Sequence, residues 1–274
     1  MRISFTKMHG LGNDFVVLDG RSEALPEVSS IMAAAIADRR KGIGCDQLIL
    51  LENCDASEAD FRMRIFNADG GEVEACGNAA RAVALLHGSP ARVMTDGGAI
   101  ALEPTKGGAT VDMGTPRFEW EAIPLAYVMD TLSMPLGWER LENPAAVNVG
   151  NPHVIFFVED CDSVELDRLG PEIEHDPVFP ERVNANVATV VDREHIKLRV
   201  WERGVGLTRA CGTGACATAV AAMRRGLVGR NVSVELPGGP LKIEWTDDDR
   251  ILMSGPATES FRGSFEWFDF ADQD

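Results

Sequence analysis

Two cysteines carry the chemistry this chain could do. Cys76 stands in Ala75-Cys76-Gly77-Asn78-Ala79-Ala80-Arg81-Ala82, and Cys211 in Ala210-Cys211-Gly212-Thr213-Gly214-Ala215-Cys216-Ala217. In each window the thiol precedes a glycine and a helix-forming run, which predicts a cysteine at a helix N-terminus. Unsatisfied backbone N–H groups there lower a thiol's pKa and stabilise thiolate. The same N–H groups, freed by Gly77, Gly212 and Gly214, can also bind a carboxylate. If both helix ends address one cleft, a substrate held by its carboxylate meets a sulfur on each face of its α-carbon. A single Ala-Cys-Gly would read as a small buried cap residue, but two copies in register favour reactive thiols.

The windows are copies of one another at an offset of 135 residues, the separation of Cys76 and Cys211. The match runs back without a gap, laying Arg62-Met63-Arg64-Ile65-Phe66-Asn67 on Lys197-Leu198-Arg199-Val200-Trp201-Glu202. Gly12-Asn13 recurs as Gly150-Asn151, Gly97-Gly98 as Gly238-Gly239, and Met113 as Met253, at offsets of 138, 141 and 140. The chain is therefore two versions of one unit, and its 274 residues give each half enough length for its own core.

The elements that must position the thiols follow from periodicity. A strand is expected over 3–8, then the turn Gly10-Leu11-Gly12-Asn13-Asp14, a buried strand over 15–18, and a serine-capped helix from about 29 to 38. Strands follow at 48–51 and 61–66. The run after Cys76 is a strong helix former, apolar nearly all round and closed by Gly88 and Pro90, so it belongs inside its domain. Its copy after Cys211 ends at Arg224-Arg225-Gly226, with positive charge in the last turn. Short strands surround each helix: 92–94, 100–102 and 110–113 in the first half, 232–236, 241–245 and 251–253 in the second. The expected fold is α+β, two pseudo-symmetric domains, each a curved, mainly antiparallel sheet or barrel wrapped around a central helix. The expected division gives 1–116 with a returning tail 264–274 to the half with Cys76, and 117–263 to the half with Cys211.

Composition narrows the function classes. Hydrophobic residues are 45% and charged residues 25%, ordinary for a globular protein, and a net charge of −17 argues against nucleic acid or an acidic membrane surface as partner. No export signal and no apolar stretch of membrane-spanning length is present, which makes a soluble cytoplasmic protein the expectation. The six cysteines lack any paired C-x-x-C spacing, so neither disulfide staples nor a structural zinc site is expected. Cys216 lies opposite Arg81 in the repeat, and Cys45, Cys54 and Cys161 have no counterpart; all four read as packing.

Amides gather at strand ends and turns: Asn13, Gln47, Asn67, Asn78, Asn151 and Asn184. Each alone would be a turn-former, but Asn13 aligns with Asn151 and Asn67 with Glu202. Together they supply donors and acceptors for a zwitterion. Glu202-Arg203 adds one charge of each sign, and Arg203 suits bidentate carboxylate recognition. His153, beside Asn151, is a candidate for adjusting a thiol pKa, as is Glu202.

Taken together, Gly10-Leu11-Gly12-Asn13-Asp14-Phe15, Phe66-Asn67-Ala68-Asp69-Gly70, Ala75-Cys76-Gly77-Asn78, Gly150-Asn151-Pro152-His153, Phe179-Pro180-Glu181-Arg182-Val183-Asn184, Trp201-Glu202-Arg203-Gly204 and Ala210-Cys211-Gly212-Thr213-Gly214-Ala215 resemble the diaminopimelate epimerases over nearly the whole chain. The resemblance implies an isomerase that needs neither pyridoxal phosphate nor metal and interconverts LL- and meso-diaminopimelate for lysine and peptidoglycan synthesis. It also implies a homodimer. Carried over by position, Cys76 and Cys211 are acid and base, and His153 and Glu202 adjust the thiols. Asn13, Gln47, Asn67, Gly77, Asn78, Asn151, Asn184, Glu202, Arg203, Gly212 and Thr213 hold the substrate. Two departures are visible: Ala79 stands where the family often has glycine, and Asn186 replaces a usually smaller residue. A proline-racemase-like enzyme, or a thiol redox or metal-binding protein, is the alternative. The long amide set and Glu202-Arg203 count against the first, and the missing C-x-x-C against the second.

Overall fold

The computed structural model describes residues 1–74 and 76–270, so Ala75 of the first window and residues 271–274 of the expected tail lie outside the described residues. The chain opens with β1 (Arg2–Gly10), β2 (Asn13–Asp19), α1 (Ser30–Ala37), β3 (Gln47–Glu52), β4 (Phe61–Asn67), α2 (Gly77–His87), β5 (Ala91–Thr95), β6 (Gly98–Thr105) and β7 (Gly108–Asp112). It continues with β8 (Gly137–Trp138), β9 (Leu141–Glu142), β10 (Ala145–Asn148), β11 (Pro152–Phe157), α3 (Leu166–Glu174), β12 (Asn184–Val190), β13 (His195–Glu202), β14 (Gly206–Thr208) and α4 (Gly212–Arg224). It closes with β15 (Asn231–Leu236), β16 (Gly239–Trp245), β17 (Ile251–Pro256) and β18 (Thr258–Glu266).

Two compact units result, Met1–Val111 with the chain from Gly255 onward, and Asp112–Ser254. In the first, the strand order is β7-β6-β5-β4-β3-β2-β1-β18. Neighbours there are antiparallel except for the parallel pairs β2–β3 and β4–β5. Parallel neighbours need a crossover, and α1 and α2 supply the two. The second unit repeats the scheme in the order β10-β11-β12-β13-β15-β16-β17, with β14 added to β13. Its parallel pairs are β11–β12, crossing through α3, and β13–β15, crossing through α4. The duplication read in the cysteine windows thus extends to the connectivity, and the fold is α+β with a mixed, mainly antiparallel sheet.

The helices divide the labour. α2 packs on β1, β2, β6 and β18, and α4 on β10 to β13, β15 and β16. Residues Gly77 to Ala84 of this alanine-rich helix α2 are all buried, the polar Asn78 and Arg81 hydrogen-bonded to each other, and Gly88 closes it in the left-handed conformation at φ 78°. α1 packs on β3 and β4, where Met32 and Ile36 meet Val16, Leu18, Leu48 and Leu50 in a second core. α3 does the same in the second unit, setting Leu166, Leu169 and Ile173 against Phe156, Ala185 and Val187. Leu166, Leu169 and Ile173 recur at helical spacing, but Gly170-Pro171 inside the run argues locally against a helix. Packing explains the glycine: a Cβ at position 170 would lie 2.3–2.7 Å from the Trp201 ring.

The units divide at 111/112 and 254/255, where the sequence suggests 116 and 263. Two sets of hydrogen bonds account for the difference. β18 pairs with β1 from Arg2↔Glu266 to His9↔Thr258, which ties residues 258–266 to the first unit. The Met113 N–H donates to the Ile251 carbonyl and the Ile251 N–H to the Gly114 carbonyl, which ties 113–114 to the second.

Candidate active site

In the first unit Cys76 is the N-cap of α2, extended at φ −147° and ψ 110°, and its Sγ accepts the Ala79 N–H at 3.5 Å. It sits 3.9 Å from Asn13 Oδ1. That amide has one possible orientation. Buried Arg81 donates to Asn78 Oδ1 (2.7 Å), Asn78 Nδ2 donates to Asn13 Oδ1 (3.2 Å), and Asn13 Nδ2 donates to Asp46 Oδ2 (3.1 Å). With a guanidinium at one end and a carboxylate at the other, every amide in the line is fixed and Asn13 turns its oxygen toward the thiol. Asp46 is itself held by Arg39 (2.7 Å) and the Asp14 N–H (3.0 Å). Burial works against the Asp14 charge, but hydrogen bonds from Arg39 and Lys7 keep its carboxyl well below the usual carboxylate range. Gln47 donates from Nε2 to Asn67 Oδ1 at 3.0 Å, and its Oε1 is buried without a partner.

In the second unit Cys211 is the N-cap of α4, its Sγ accepting the Gly214 N–H at 3.3 Å with Thr213 Oγ1 at 3.5 Å. The capping expectation holds, but the expectation of a lowered pKa does not. Burial pushes the Cys211 thiol well above its ordinary value, and the negative charge of Glu202 adds to the shift. The contacts from Thr213 and the Gly214 N–H oppose it and lose, because the helix end supplies partial charges while desolvation removes a full one from water. Glu202 is raised by burial too, against hydrogen bonds from Thr208 and Cys211, so thiol and carboxyl form one proton-holding pair.

His153 is fully buried, and burial pushes its pKa down to about 3. Its Nε2 lies 2.9 Å from Asn151 Oδ1 and its Nδ1 3.0 Å from Asn186 Nδ2. The ring is therefore neutral and reaches the site through Asn151. Asn184 is buried, donating to the Pro152 carbonyl (2.8 Å) and accepting the Arg203 N–H (2.9 Å). The Arg203 side chain donates to the Glu181 carbonyl at 3.0 Å and joins no ion pair among the described residues. Gly212 is buried in the first turn of α4 beside Thr213. Gly214 must be glycine: a Cβ there would meet Asn186 Oδ1 at 2.8 Å and Val200 Cγ2 at 3.0 Å.

The expected residues thus fall into two sets. Asn13, Gln47, Asn67, Gly77 and Asn78 lie on β2, β3, β4 and α2 with Cys76. Asn151, His153, Asn184, Glu202, Arg203, Gly212 and Thr213 lie around β11 to β13 and α4 with Cys211. Cys45, Cys161 and Cys216 are buried, and burial raises the Cys45 thiol to about 11. Asp46, Arg81 and Thr208 were not singled out by sequence as site residues, because their work is to orient other side chains. Among the described residues no group of three His, Cys, Asp or Glu side chains is placed to hold a metal, and no helix is long and apolar enough to cross a membrane.

A duplicated α+β protein with a cysteine capping the central helix of each copy, one thiol beside a fixed amide and the other beside a carboxyl, defines a class of paired-thiol proteins. Within that class, the family model described as diaminopimelate epimerase matches residues 5–119 and 145–259, one match in each half. A diaminopimelate epimerase of Erythrobacter litoralis is 70% identical over 271 residues, covering 99% of this chain and 100% of that protein. The chain belongs to the diaminopimelate epimerase family. Among solved structures, a protein of Pseudomonas aeruginosa described as a predicted epimerase superposes with a TM-score of 0.69 at 20% identity, covering 96% of this chain and 99% of its own. A probable proline racemase of Agrobacterium radiobacter does so with 0.68 at 13%, covering 96% and 93%. At these identities the two structures share the fold.

Proposed function

We propose that this chain is a cofactor-independent isomerase that interconverts LL- and meso-diaminopimelate, with Cys76 and Cys211 as the two acid–base groups. The observation that carries the reading is the same cysteine at the same helix cap in both copies, each beside side chains that fix or hold protons. One sulfur, as thiolate, takes the α-proton and becomes a thiol. The electron pair left on carbon is stabilised by the carboxylate's contacts with helix N–H groups at Gly77, Gly212 and Thr213. The other thiol gives its proton to the opposite face and becomes a thiolate. Cys211 rests as the thiol, because its pKa is raised, and serves as acid in that state. For the reverse direction Glu202, its own pKa raised beside the sulfur, takes the Cys211 proton.

The remaining residues read the substrate's polar ends. Gln47, Asn67 and Asn78 join Asn13 on the first unit, and Asn151 and Arg203 act on the second with Asn184 holding the Arg203 backbone. Arg203 is suited to a carboxylate because its fork is not engaged by a protein carboxylate among the described residues. A substrate lacking the distant ammonium and carboxylate would leave buried polar groups unpaired, which disfavours simpler amino acids. The family resemblance brings with it a cytoplasmic homodimer in lysine and peptidoglycan synthesis. Assaying LL-diaminopimelate and the proline isomers side by side tests the substrate. Epimerisation of diaminopimelate alone is the expected result, and turnover of proline alone would replace this reading with the racemase one.

A further inference from the structure

Asn186 is fully buried on β12, and its side chain explains an orientation that the site depends on. Its Nδ2 lies 3.0 Å from the Val154 carbonyl and 3.3 Å from the Asn184 carbonyl. Two carbonyl oxygens at one end of an amide force the NH2 group to that end. The third neighbour of this NH2 is His153 Nδ1 at 3.0 Å, which must then be the unprotonated ring nitrogen. The ring proton is left on Nε2, facing Asn151 Oδ1 at 2.9 Å. With its oxygen turned to the ring, the NH2 group of Asn151 points away from His153, and no protein atom among the described residues takes it.

The cost of the arrangement shows that packing is not its purpose. Asn186 Oδ1 is buried with no hydrogen-bond partner among the described residues, a desolvation penalty that an apolar side chain of the same shape avoids. The first unit has that apolar solution. Register places Phe15 opposite Gln47 in β2–β3 as it places His153 opposite Asn184 in β11–β12. Phe15 and Ile49 are therefore the counterparts of His153 and Asn186, and both are fully buried. Only the second unit keeps a polar pair there. The two copies of the repeated asparagine consequently present opposite ends, Asn13 its oxygen and Asn151 its NH2.

We propose that Asn186 is a positioning residue: it sets the tautomer of His153 and thereby turns Asn151 so that an N–H is offered to an anionic oxygen of the substrate. The substrate's identity in this statement rests on the diaminopimelate reading, while the orientation does not. Nitrogen-15 NMR of ring-labelled histidine in the substrate-free protein reads the tautomer directly. The wild type should show His153 neutral with the proton on Nε2, and the near-isosteric Asn186→Leu should populate both tautomers. In the same variant the KM for diaminopimelate should rise on the order of tenfold with kcat less affected, as expected when a bound donor is lost. Asn186→Ser, whose hydroxyl can still donate, should fall between the two, and it carries the test if the leucine variant does not fold. A wild-type ring protonated on Nδ1 overturns the proposal. So does a variant that keeps a single Nε2–H tautomer, or one whose tautomers mix while KM stays at the wild-type value. If the ring behaves as stated but the wild type leaves diaminopimelate unchanged, the orientation stands and the function assignment fails.

Discussion

Cys76 and Cys211 occupy one position of one repeated helix, yet their surroundings differ in kind. Cys76 is partly exposed, and its neighbours are amides locked between Arg81 and Asp46. Cys211 is 4% exposed and shares its proton with Glu202. The aligned partner of Glu202 in the first unit is Asn67, which accepts from Gln47 and carries no charge. Duplication therefore fixed where each sulfur sits, and side chains on the flanking strands decided what each sulfur is. A helix N-terminus positions a thiol in both units, but in the second it does not set the pKa, because burial and a carboxylate outweigh a few oriented N–H groups.

The comparison can be broken by removing either thiol. Cys76→Ala and Cys211→Ala should each reduce kcat by at least about a thousandfold while leaving the circular dichroism spectrum and melting temperature near wild type. A variant retaining substantial rate would mean that one sulfur suffices.

The next effect separates the two thiols. Glu202→Gln removes the negative charge beside Cys211, so its thiol pKa should fall and its alkylation by iodoacetamide at pH 8 should quicken measurably. Cys76 should react at its wild-type rate. Equal changes at both cysteines, read by peptide mass spectrometry, would erase the asymmetry.

His153 gives the second unit an acid sensitivity that Phe15 spares the first. Its pKa is about 3 in the folded chain, whereas an unfolded histidine titrates near about 6.5. Between those values the unfolded chain binds a proton that the folded one does not, so stability is full above about pH 6.5 and is lost as pH falls toward 3. From pH 7 to 4.5 the loss assignable to His153 should be about 2–3 kcal/mol. Denaturant titrations at the two pH values, compared with His153→Gln, isolate it; an identical pH slope in the variant would remove His153 as the cause.

The smallest effect concerns the helix caps themselves. Position 79 is alanine and its counterpart, position 214, is glycine, because Asn186 leaves no room for a Cβ in the second unit. Gly214→Ala should cost about 1–3 kcal/mol through overpacking, and Ala79→Gly no more than about 1 kcal/mol through backbone entropy. Thermal melts of the two variants would test the order, and a reversal would place the constraint elsewhere.

The cysteine caps, the duplication, the central helices and most strands were legible in the sequence because each follows from local pattern. α3 was obscured by Gly170-Pro171, of which the glycine is required by the Trp201 ring brought from β13. The roles of Asp46, Arg81 and Thr208 were hidden too, since a side chain that orients another is defined by its contacts, which here span 3 to 33 residues, rather than by a repeating pattern. Asn186 stood out only as a departure from a family pattern; its meaning came from two carbonyls on neighbouring strand segments.

The central claim, that two sulfurs each serve one face of the substrate, is tested most directly by running the reaction from LL-diaminopimelate in deuterated water and stopping it early. The sulfur that delivers the new proton exchanges with solvent before turnover, while the one that removes the old proton acts on the other face. The first meso product should therefore carry deuterium at the inverted carbon, with the remaining LL substrate largely unlabelled. Early product free of solvent deuterium would mean that one group carries the same proton across, and the two-thiol account would be wrong.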